Sequence, residues 1–428
     1  MMAMGIGGWL MVAQAWAAPC TVISGTDAWL ADEVVEGVSV VIEGERIAGV
    51  GHRLSGLALV LDEQAQVKQA IWQGRACSFI QGSQTHTTPG FIEVASQLGL
   101  VEVDLEGGTH GFNSGGDAIR ASTYASDAFD PWSSLIPIQR IDGVTSTVTS
   151  PSGGFVSGHA AHAQLAGETQ AEAVRDRAVA MVMQVGDSPS ISGALARAGE
   201  VLDAARAVRR NPSGYVRGDI QPLVEGASLA DLQALYPVLD RELPVVVQAD
   251  AAHEIEALIR FQRAQGIRLI LHGAAEGWTL ADELARADVA VVIDPLVYGA
   301  GGFSQRRGRE DNGALLKKAG VDVILSTFSS HNARNLQQIA GNAVRGGMRP
   351  VDAMAAVTYA PGEAYGLSTG ALRAGWPADL VVWSGDPLEL SSHPVALFIG
   401  GRSIELTSRQ TQLLDAYRQL PGTPRSTP

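Results

Sequence analysis

The sequence predicts an α/β protein in which a parallel (β/α)8 TIM barrel is inserted into a small composite β-sandwich formed by both chain ends. Two observations support this prediction. Short apolar runs rich in β-branched residues alternate with helix-like segments through the middle of the 428-residue chain. Hairpin-like patterns lie near both ends of the chain. Strand-sized runs that alternate with helices are typical of βα units and a parallel sheet.

The predicted sandwich has two parts, at residues 20–88 and 367–407. In the first part, two β-branched runs within Val38–Val50 flank Glu43-Gly44-Glu45. A short turn between two such runs predicts a hairpin. Similar short strands return in the second part. Residues 408–428 are predicted to form a C-terminal helix followed by a tail.

The predicted barrel occupies residues 89–366, which is enough chain for the ~250 residues of eight βα units. Its clearest strand-like runs are Thr145–Thr149, Ala178–Val185, Leu243–Gln248, Ile267–Leu271, Val289–Ile293 and Val321–Leu325. A doubly wound sheet is the alternative, but no Gly-x-Gly-x-x-Gly opens a helix after a strand. The Gly-, Ser-, Thr- and Asp-rich stretch 107–157 is expected to form long loops over the barrel mouth.

The composition argues against nucleic acid as a partner. Lysine and arginine number 31 against 45 aspartates and glutamates, which gives a formal net charge of −14. Neutralising phosphates requires a basic face. No run approaches the ~20 apolar residues that span a bilayer, so a stable membrane span is not expected. We therefore expect a small-molecule substrate or ligand, and a homodimer is compatible with the fold class.

The first residues indicate export. Met1–Ala18 is apolar and uncharged, and Ala15-Trp16-Ala17 fits the small-x-small cleavage pattern of a secretory signal. We predict a signal peptide at residues 1–18 and a periplasmic location, with a buried N-terminal helix as the alternative. The two cysteines, Cys20 and Cys77, could form one disulfide if the compartment is oxidising.

Three segments, in chain order, carry a family resemblance. Val40–Gly51 looks like an N-terminal hairpin, Thr88–Glu93 like the entry to a first barrel strand, and Gly375–Trp383 like a return into the sandwich. Together they resemble the amidohydrolase superfamily, and in particular its imidazolonepropionase-like branch, over roughly residues 36–407. The resemblance implies metal-assisted hydrolysis of carbon–nitrogen bonds other than peptide bonds, with metal-bound water as the nucleophile.

The metal-ligand positions that the resemblance implies are mostly changed. The family pattern has His-x-His after the first strand, a carboxylated lysine or glutamate after the fourth, histidine after the fifth and sixth, and aspartate after the eighth. Here the first, fifth, sixth and eighth positions carry Ala95 and Gln97, Gln248, His272 and Phe328, or Ser329 if the register slips by one. No lysine lies between Lys68 and Lys317, and Glu225 is the candidate replacement on strand four.

Only His272 fills a strand-end ligand position clearly. Catalytic zinc needs about three protein ligands plus water. A divalent metal such as zinc would therefore require a site rebuilt from His272 and other histidines, of which His110, His159, His162 and His331 lie near the mouth. His159 and His162 could coordinate together if they lie on a helix; otherwise they are loop histidines that face solvent.

Two residues remain as catalytic candidates. His272 and Glu276 could form a His–carboxylate pair that moves a proton. The alternative is structural: the histidine ends a strand, and the glutamate begins a helix, where the dipole favours an acidic side chain.

Four residues are candidates for substrate binding. Gln97 and Gln248 occupy former ligand positions, and amides in a barrel mouth would hold a polar ligand by hydrogen bonds. Asp294 ends the seventh strand before a proline, where a turn role is the alternative. His331 lies just beyond the eighth strand.

Two functions follow from these residues. The first is an exported amidohydrolase-like enzyme with an eroded or rebuilt metal site that hydrolyses a carbon–nitrogen bond. The second is a catalytically inactive relative, a pseudoenzyme that binds a small polar ligand or a partner. The two are distinguished by whether other ligands converge on His272.

Overall fold

A computed structural model describes residues 20–62, 64, 66–113, 118–186, 190–218, 224, 226–299 and 301–418. The predicted signal peptide at residues 1–18, Glu225 and the tail after residue 418 lie outside these ranges.

The strands are β1 Cys20–Trp29, β2 Val34–Glu43, β3 Arg46–Gly51, β4 Leu57–Leu61, β5 Val67–Trp72, β6 Arg75–Gln81, β7 His86–Pro89, β8 Phe91–Ser96, β9 Val144–Thr149, β10 Val156–Gln164, β11 Val174–Met183, β12 Val245–Ala249, β13 Leu269–Gly273, β14 Ala290–Ile293, β15 Val323–Leu325, β16 Leu380–Trp383, β17 Pro394–Ile399 and β18 Arg402–Ser403. The helices are α1 Leu135–Arg140, α2 Gln170–Ala173, α3 Ile191–Arg210, α4 Pro212–Arg217, α5 Leu229–Ala234, α6 Tyr236–Leu239, α7 Ala252–Gln265, α8 Ala281–Arg286, α9 Asn312–Lys318, α10 Leu336–Arg345, α11 Pro350–Val357, α12 Tyr359–Tyr365 and α13 Arg409–Arg418.

Strands from both ends of the chain share one sheet, here called the terminal sheet (β1–β7 and β16–β18). The two ends meet where β16 pairs antiparallel with β7, with Val381 opposite Thr88. The predicted hairpin is present as β2 and β3, which pair antiparallel across the turn at Glu43 and Arg46. Strands of both chain ends therefore share a sheet, and the composite sandwich stays a prediction.

A disulfide links the first strand of the terminal sheet to its neighbour. Cys20 on β1 and Cys77 on β6 are bonded, with a sequence separation of 57 residues. The two strands run parallel, so the bond reinforces an adjacent pair. It is the pairing that the sequence left open.

The remaining eight strands form a second, curled sheet, here called the barrel sheet, in the order β15-β14-β13-β12-β11-β10-β9-β8. The four strands from β12 to β15 and their predecessor β11 pair in parallel, as predicted. Helices α7, α8 and α9 lie between these strands in the chain. This half of the protein follows the alternation of strand and helix that the sequence shows.

The prediction of eight parallel βα units is wrong at the third strand. β10 runs antiparallel to both β9 and β11. Only residues 150–155, all described and without a helix, connect β9 to β10. A parallel crossover needs a dozen or more residues, whereas an antiparallel neighbour can follow a short turn. The short connection therefore forces the reversal.

Alternation along the strands separates two apolar layers. One face of the barrel sheet forms an inner core that includes Ile92, Val94, Val148, Ala160, Ala180, Val182, Val246, Ile270, Val292 and Ile324. The intervening residues of β12–β15, such as Val247 and Leu271, pack in the outer core with the helices. Successive side chains on a strand point to opposite faces, and this explains the two sets.

Local signals in the sequence fix the helix ends. α5 begins at a capping box, in which Ser228 accepts from the Asp231 amide and the Asp231 carboxylate accepts from the Ser228 amide. α7 ends at Gly266, which adopts φ +66°. Glycine reaches this left-handed conformation without a Cβ clash, so the helix stops there.

Glu93 bridges the two edge strands of the barrel sheet, β8 and β15. Its Oε1 accepts hydrogen bonds from Ser326 Oγ and from the Ala95 amide. Its Oε2 accepts from the amide and hydroxyl of Thr327, at 3.2 and 3.1 Å. The carboxyl is fully buried, and burial raises its pKa although these four donors oppose the rise.

Replacing this carboxyl by an amide should weaken the contact between β8 and β15. In Glu93→Gln, an amino group faces one of the backbone donors, so a buried N–H loses its acceptor. We expect the free energy of unfolding to fall by roughly 1–3 kcal/mol, measured by urea denaturation at pH 7. The control Glu283→Gln removes an exposed ion pair with Arg286 and should change it by less than about 0.5 kcal/mol. Equal losses in the two variants would contradict the bridging role.

The disulfide should contribute measurably to stability. Cys20→Ala/Cys77→Ala removes a crosslink that restricts the unfolded chain, and we expect a loss of roughly 2–4 kcal/mol. Adding dithiothreitol should lower the melting temperature of the unaltered protein and leave that of the double variant unchanged. If the reductant shifts neither protein, the bond does not form in solution.

Candidate functional site at the barrel mouth

The predicted site lies at the carboxyl ends of the parallel strands, where barrel enzymes carry their chemistry. Gln248 ends β12 and stands in register beside His272 on β13. Phe328 follows β15 and adopts φ +52°. Its ring meets the His272 imidazole edge-on, with ring centroids 5.9 Å apart and an interplanar angle of 89°. Three of the former ligand positions are thus neighbours in space.

His272 is held on its other side by a tyrosine. Its Nε2 and the Tyr365 hydroxyl, which comes from α12, are hydrogen-bonded at 2.9 Å. Burial lowers the pKa of His272 to about 4, so the imidazole is neutral at pH 7. Burial also raises the pKa of Tyr365, and the nearby Glu93 carboxylate raises it further. The pair is therefore a neutral hydrogen bond inside the inner core.

The surroundings of His272 are apolar. Ala95 and Phe328 pack partly buried against the inner core, and Tyr365 and Leu367 are buried within it. Neither Tyr365 nor the role of Glu93 was predicted from the sequence. The glutamate did leave a signal, because it is a lone carboxylate within an apolar strand, Phe91–Ser96.

The residues at these positions do not fit a zinc centre. Across the described ranges, no group of three or more histidine, cysteine, aspartate or glutamate side chains could hold one ion. Zinc needs about three such ligands. Alanine and phenylalanine supply none, and the Nε2 of His272 is already bonded to Tyr365.

Among the described contacts, no hydrogen bond links Glu276 to His272. Its carboxylate accepts from the Ala252 amide at 3.1 Å, at the start of α7. It also accepts from the amide and guanidinium of Arg307, at 3.2 and 3.1 Å. Burial raises the pKa of Glu276, but these bonds outweigh it and the net change is downward. The contacts match the structural alternative, an ionised anchor between a loop and a helix start.

Asp294 and His331 make local structural contacts. Asp294 Oδ1 accepts from the Leu296 amide at 2.8 Å, the bond of an Asx turn, and burial raises its pKa. His331 Nε2 lies 3.2 Å from the Glu102 carbonyl oxygen, and its Nδ1 lies 3.2 Å from an Asp104 carboxylate oxygen. The Nδ1 contact has the distance of an ion pair but not the geometry of a hydrogen bond. Because the aspartate is largely exposed, this ion pair contributes little to stability.

The two glutamines remain accessible. Gln248 is exposed and Gln97 is partly exposed. The recorded bond of Gln97 is from its backbone amide to Ser330 Oγ, at 3.0 Å. In the described contacts, neither side-chain amide has a protein partner.

The two histidines predicted to lie on a helix or a loop, His159 and His162, lie on a strand. His159 and His162 belong to β10, where residues three apart face opposite sides, so they cannot bind one ion together. His159 stacks on Tyr124 with centroids 4.5 Å apart, and burial, followed by the charge of Arg177, lowers its pKa to about 4. The three alanines and one glycine of this strand hid its alternation. His110 stays a loop residue and stacks on Phe112.

The fold defines a class of α/β protein, in which a curled eight-stranded sheet with its helices is joined to a sheet made of strands from both chain ends. Residues 246–407 match the Amidohydrolase family. The structure resembles an amidohydrolase from Thermotoga maritima MSB8, with a TM-score of 0.74, 20% identity, and coverage of 90% of this chain and 99% of that one. A prolidase complexed with N-methylphosphonate-L-proline gives a TM-score of 0.52 at 17% identity, with 90% and 99% coverage. Part of the chain thus matches a family model, and the chain shares the fold of these solved structures.

Two curated proteins are similar over shorter stretches. An adenine deaminase of Methanothermobacter thermautotrophicus is 45% identical over 71 residues, which is 16% of this chain and 13% of that protein. The amidohydrolase tasK of Hapsidospora irregularis is 31% identical over 118 residues, 26% of this chain and 12% of that protein. The chain thus spans about an eighth of the length of these relatives. The imidazolonepropionase-like branch stays a prediction.

The depressed pKa of His272 predicts acid sensitivity. The unfolded chain takes up a proton near pH 6.5 and the native imidazole only near 4. Its contribution to stability is therefore full above pH 6.5 and is lost as the pH falls towards 4, by roughly 3 kcal/mol. His272→Asn should flatten this part of the stability–pH curve, measured by urea denaturation from pH 7 to 4.

The control for this experiment is His253→Asn, which removes an exposed imidazole on α7. Its curve should keep the shape of the unaltered protein's curve, whatever its absolute stability. His159 contributes an acid-sensitive term of the same sign, so a residual slope in His272→Asn is expected. An unchanged slope in His272→Asn would contradict the buried, neutral state of this residue.

Proposed function

We propose that this protein is an amidohydrolase-fold pseudoenzyme that has lost metal-dependent hydrolysis and binds a small polar ligand at the barrel mouth. One observation carries the proposal: His272 is held between the Tyr365 hydroxyl and the edge of the Phe328 ring.

Metal-assisted hydrolysis needs a lone pair on each ligand and space for a bound water. A metal at His272 Nε2 would have to displace the Tyr365 hydroxyl from a buried hydrogen bond. It would also have to sit beside an aromatic ring that offers no ligand. A metal-free route through His272 and Glu276 has no support either, because Glu276 is engaged by Arg307.

The accessible amides support the binding role. Each glutamine side chain offers two N–H donors and a carbonyl acceptor. Gln97 and Gln248 stand at the mouth with these groups free of protein partners among the described contacts. Such groups orient a polar ligand by hydrogen bonds and do not require a metal.

A second candidate function is hydrolysis of carbon–nitrogen bonds other than peptide bonds. The family match over residues 246–407 favours it, as does the identity with part of an adenine deaminase. This function would require a ligand set recruited from beyond the positions that the resemblance implies.

We further propose that the protein is exported and periplasmic. The apolar N-terminal pattern supports this, and so does the Cys20–Cys77 disulfide, because such bonds persist in oxidising compartments. In the described part of the chain, no helix has the length and apolar character of a membrane span. A homodimer stays a prediction.

Metal content tests the first proposal. Protein purified without chelator, incubated with zinc and desalted, should hold close to zero ions per chain by inductively coupled plasma mass spectrometry. The matched variant His272→Ala should give the same value. Incubation with zinc and adenine should release no ammonia. About one zinc per chain that His272→Ala loses, or ammonia release that the variant abolishes, would replace the proposal with the hydrolase function.

A further inference from the structure

A polar cavity of about 260 Å³ lies at the end of the barrel sheet opposite the mouth. Because β10 is reversed, its last residue, Gln164, pairs with Ser146 in the first half of β9, and His162 pairs with Asp176 near the start of β11. The cavity is lined there by β10 and the start of β11, and on the other side by the terminal sheet around Asp379 and Gly400. We call it the junction cavity.

One wall of the junction cavity is fully bonded. Gln164 Nε2 donates to both oxygens of Asp379, at 2.9 and 2.8 Å. Asp379 also accepts from the Gly400 amide and the Thr369 hydroxyl. Gln164 Oε1 accepts from Nε and Nη2 of Arg175, at 2.7 and 2.5 Å. This wall is therefore fixed, and its carboxylate has no capacity left for a ligand.

His162 is the incompletely bonded group of the cavity. Its Nδ1 is hydrogen-bonded to Asp176 Oδ2 at 2.9 Å, and its side chain is only 5% exposed. Its Nε2 is buried without a protein partner. A carboxylate on Nδ1 keeps the proton there and leaves the Nε2 lone pair as an acceptor. Buried polar atoms are nearly always bonded, so a donor is expected at this position.

The charges of the lining indicate the rest of the ligand. Arg175 and Arg46 both line the cavity, and Nη1 of Arg175 has no partner in the described contacts. Guanidinium groups bind carboxylates with matching geometry. The carboxylates of Glu45, Asp176 and Asp379 also line the cavity and disfavour a second negative charge on the ligand. The volume is below the range of about 300–1,000 Å³ that drug-sized ligands occupy.

We propose that the junction cavity binds a small monocarboxylate that carries a hydroxyl group. The hydroxyl donates to His162 Nε2, and the carboxylate pairs with Arg175 and Arg46. The site is distinct from the barrel mouth and does not depend on the function proposed there.

Lactate and propionate are the probes, since they differ by one hydroxyl group. Isothermal titration calorimetry on the full chain should show lactate binding about tenfold more tightly than propionate, the effect of one hydrogen bond. His162→Asn keeps an amide donor where Nδ1 meets Asp176 but lacks Nε2. In this variant, lactate should bind only as tightly as propionate does, and propionate should bind unchanged.

Two further variants make the test decisive. Arg175→Met should abolish binding of both acids, and the exposed control His253→Asn should change neither. Equal affinities for the two acids in the unaltered protein, or an unchanged preference in His162→Asn, would overturn the proposal. So would the absence of lactate binding at millimolar concentration. Gln97→Ala/Gln248→Ala at the mouth should leave lactate binding intact, which separates this site from the first.

Discussion

The buried carboxyl of Glu93 is the contact on which the rest of the barrel mouth depends. It bridges the first and last strands of the barrel sheet by accepting from Ser326 and Thr327. Ser326 Oγ in turn accepts from the Phe328 amide at 3.1 Å. This fixes the turn in which Phe328 takes a positive φ and lays its ring against His272. The Glu93 bridge and the packing of Phe328 against His272 are therefore one structural unit.

This unit shows that the fold does not require the metal chemistry that the resemblance implies. The strands need only a filled interior and a closed edge, and the inner core and Glu93 supply both. Nothing in that requirement specifies a metal ligand. Fold and site can therefore diverge, and the match over residues 246–407 does not by itself define an activity.

The sequence predicted the second half of the barrel sheet well because each strand there is a compact apolar run with a helix on either side. It failed at β10, whose sequence of small residues and two histidines has neither the bulk nor the branching that marks a strand. It placed His272, Gln248 and Phe328 near one another, since all three lie at or just beyond the carboxyl ends of parallel strands of the barrel sheet. It could not pair His272 with Tyr365, 93 residues away, because that contact depends on how α12 enters the barrel.

The reversal of β10 also redistributes polarity between the two ends of the barrel. In a parallel third strand, His162 and Gln164 would lie at the carboxyl end, beside Gln248 and His272, where a ligand set could form. The antiparallel strand carries them to the opposite end, where Gln164 binds Asp379 of the terminal sheet. At the mouth, the Phe328 ring packs against His272, and the incompletely bonded imidazole of His162 lies at the junction. The short connection after β9 therefore places His162 and Gln164 in the junction cavity and not at the mouth.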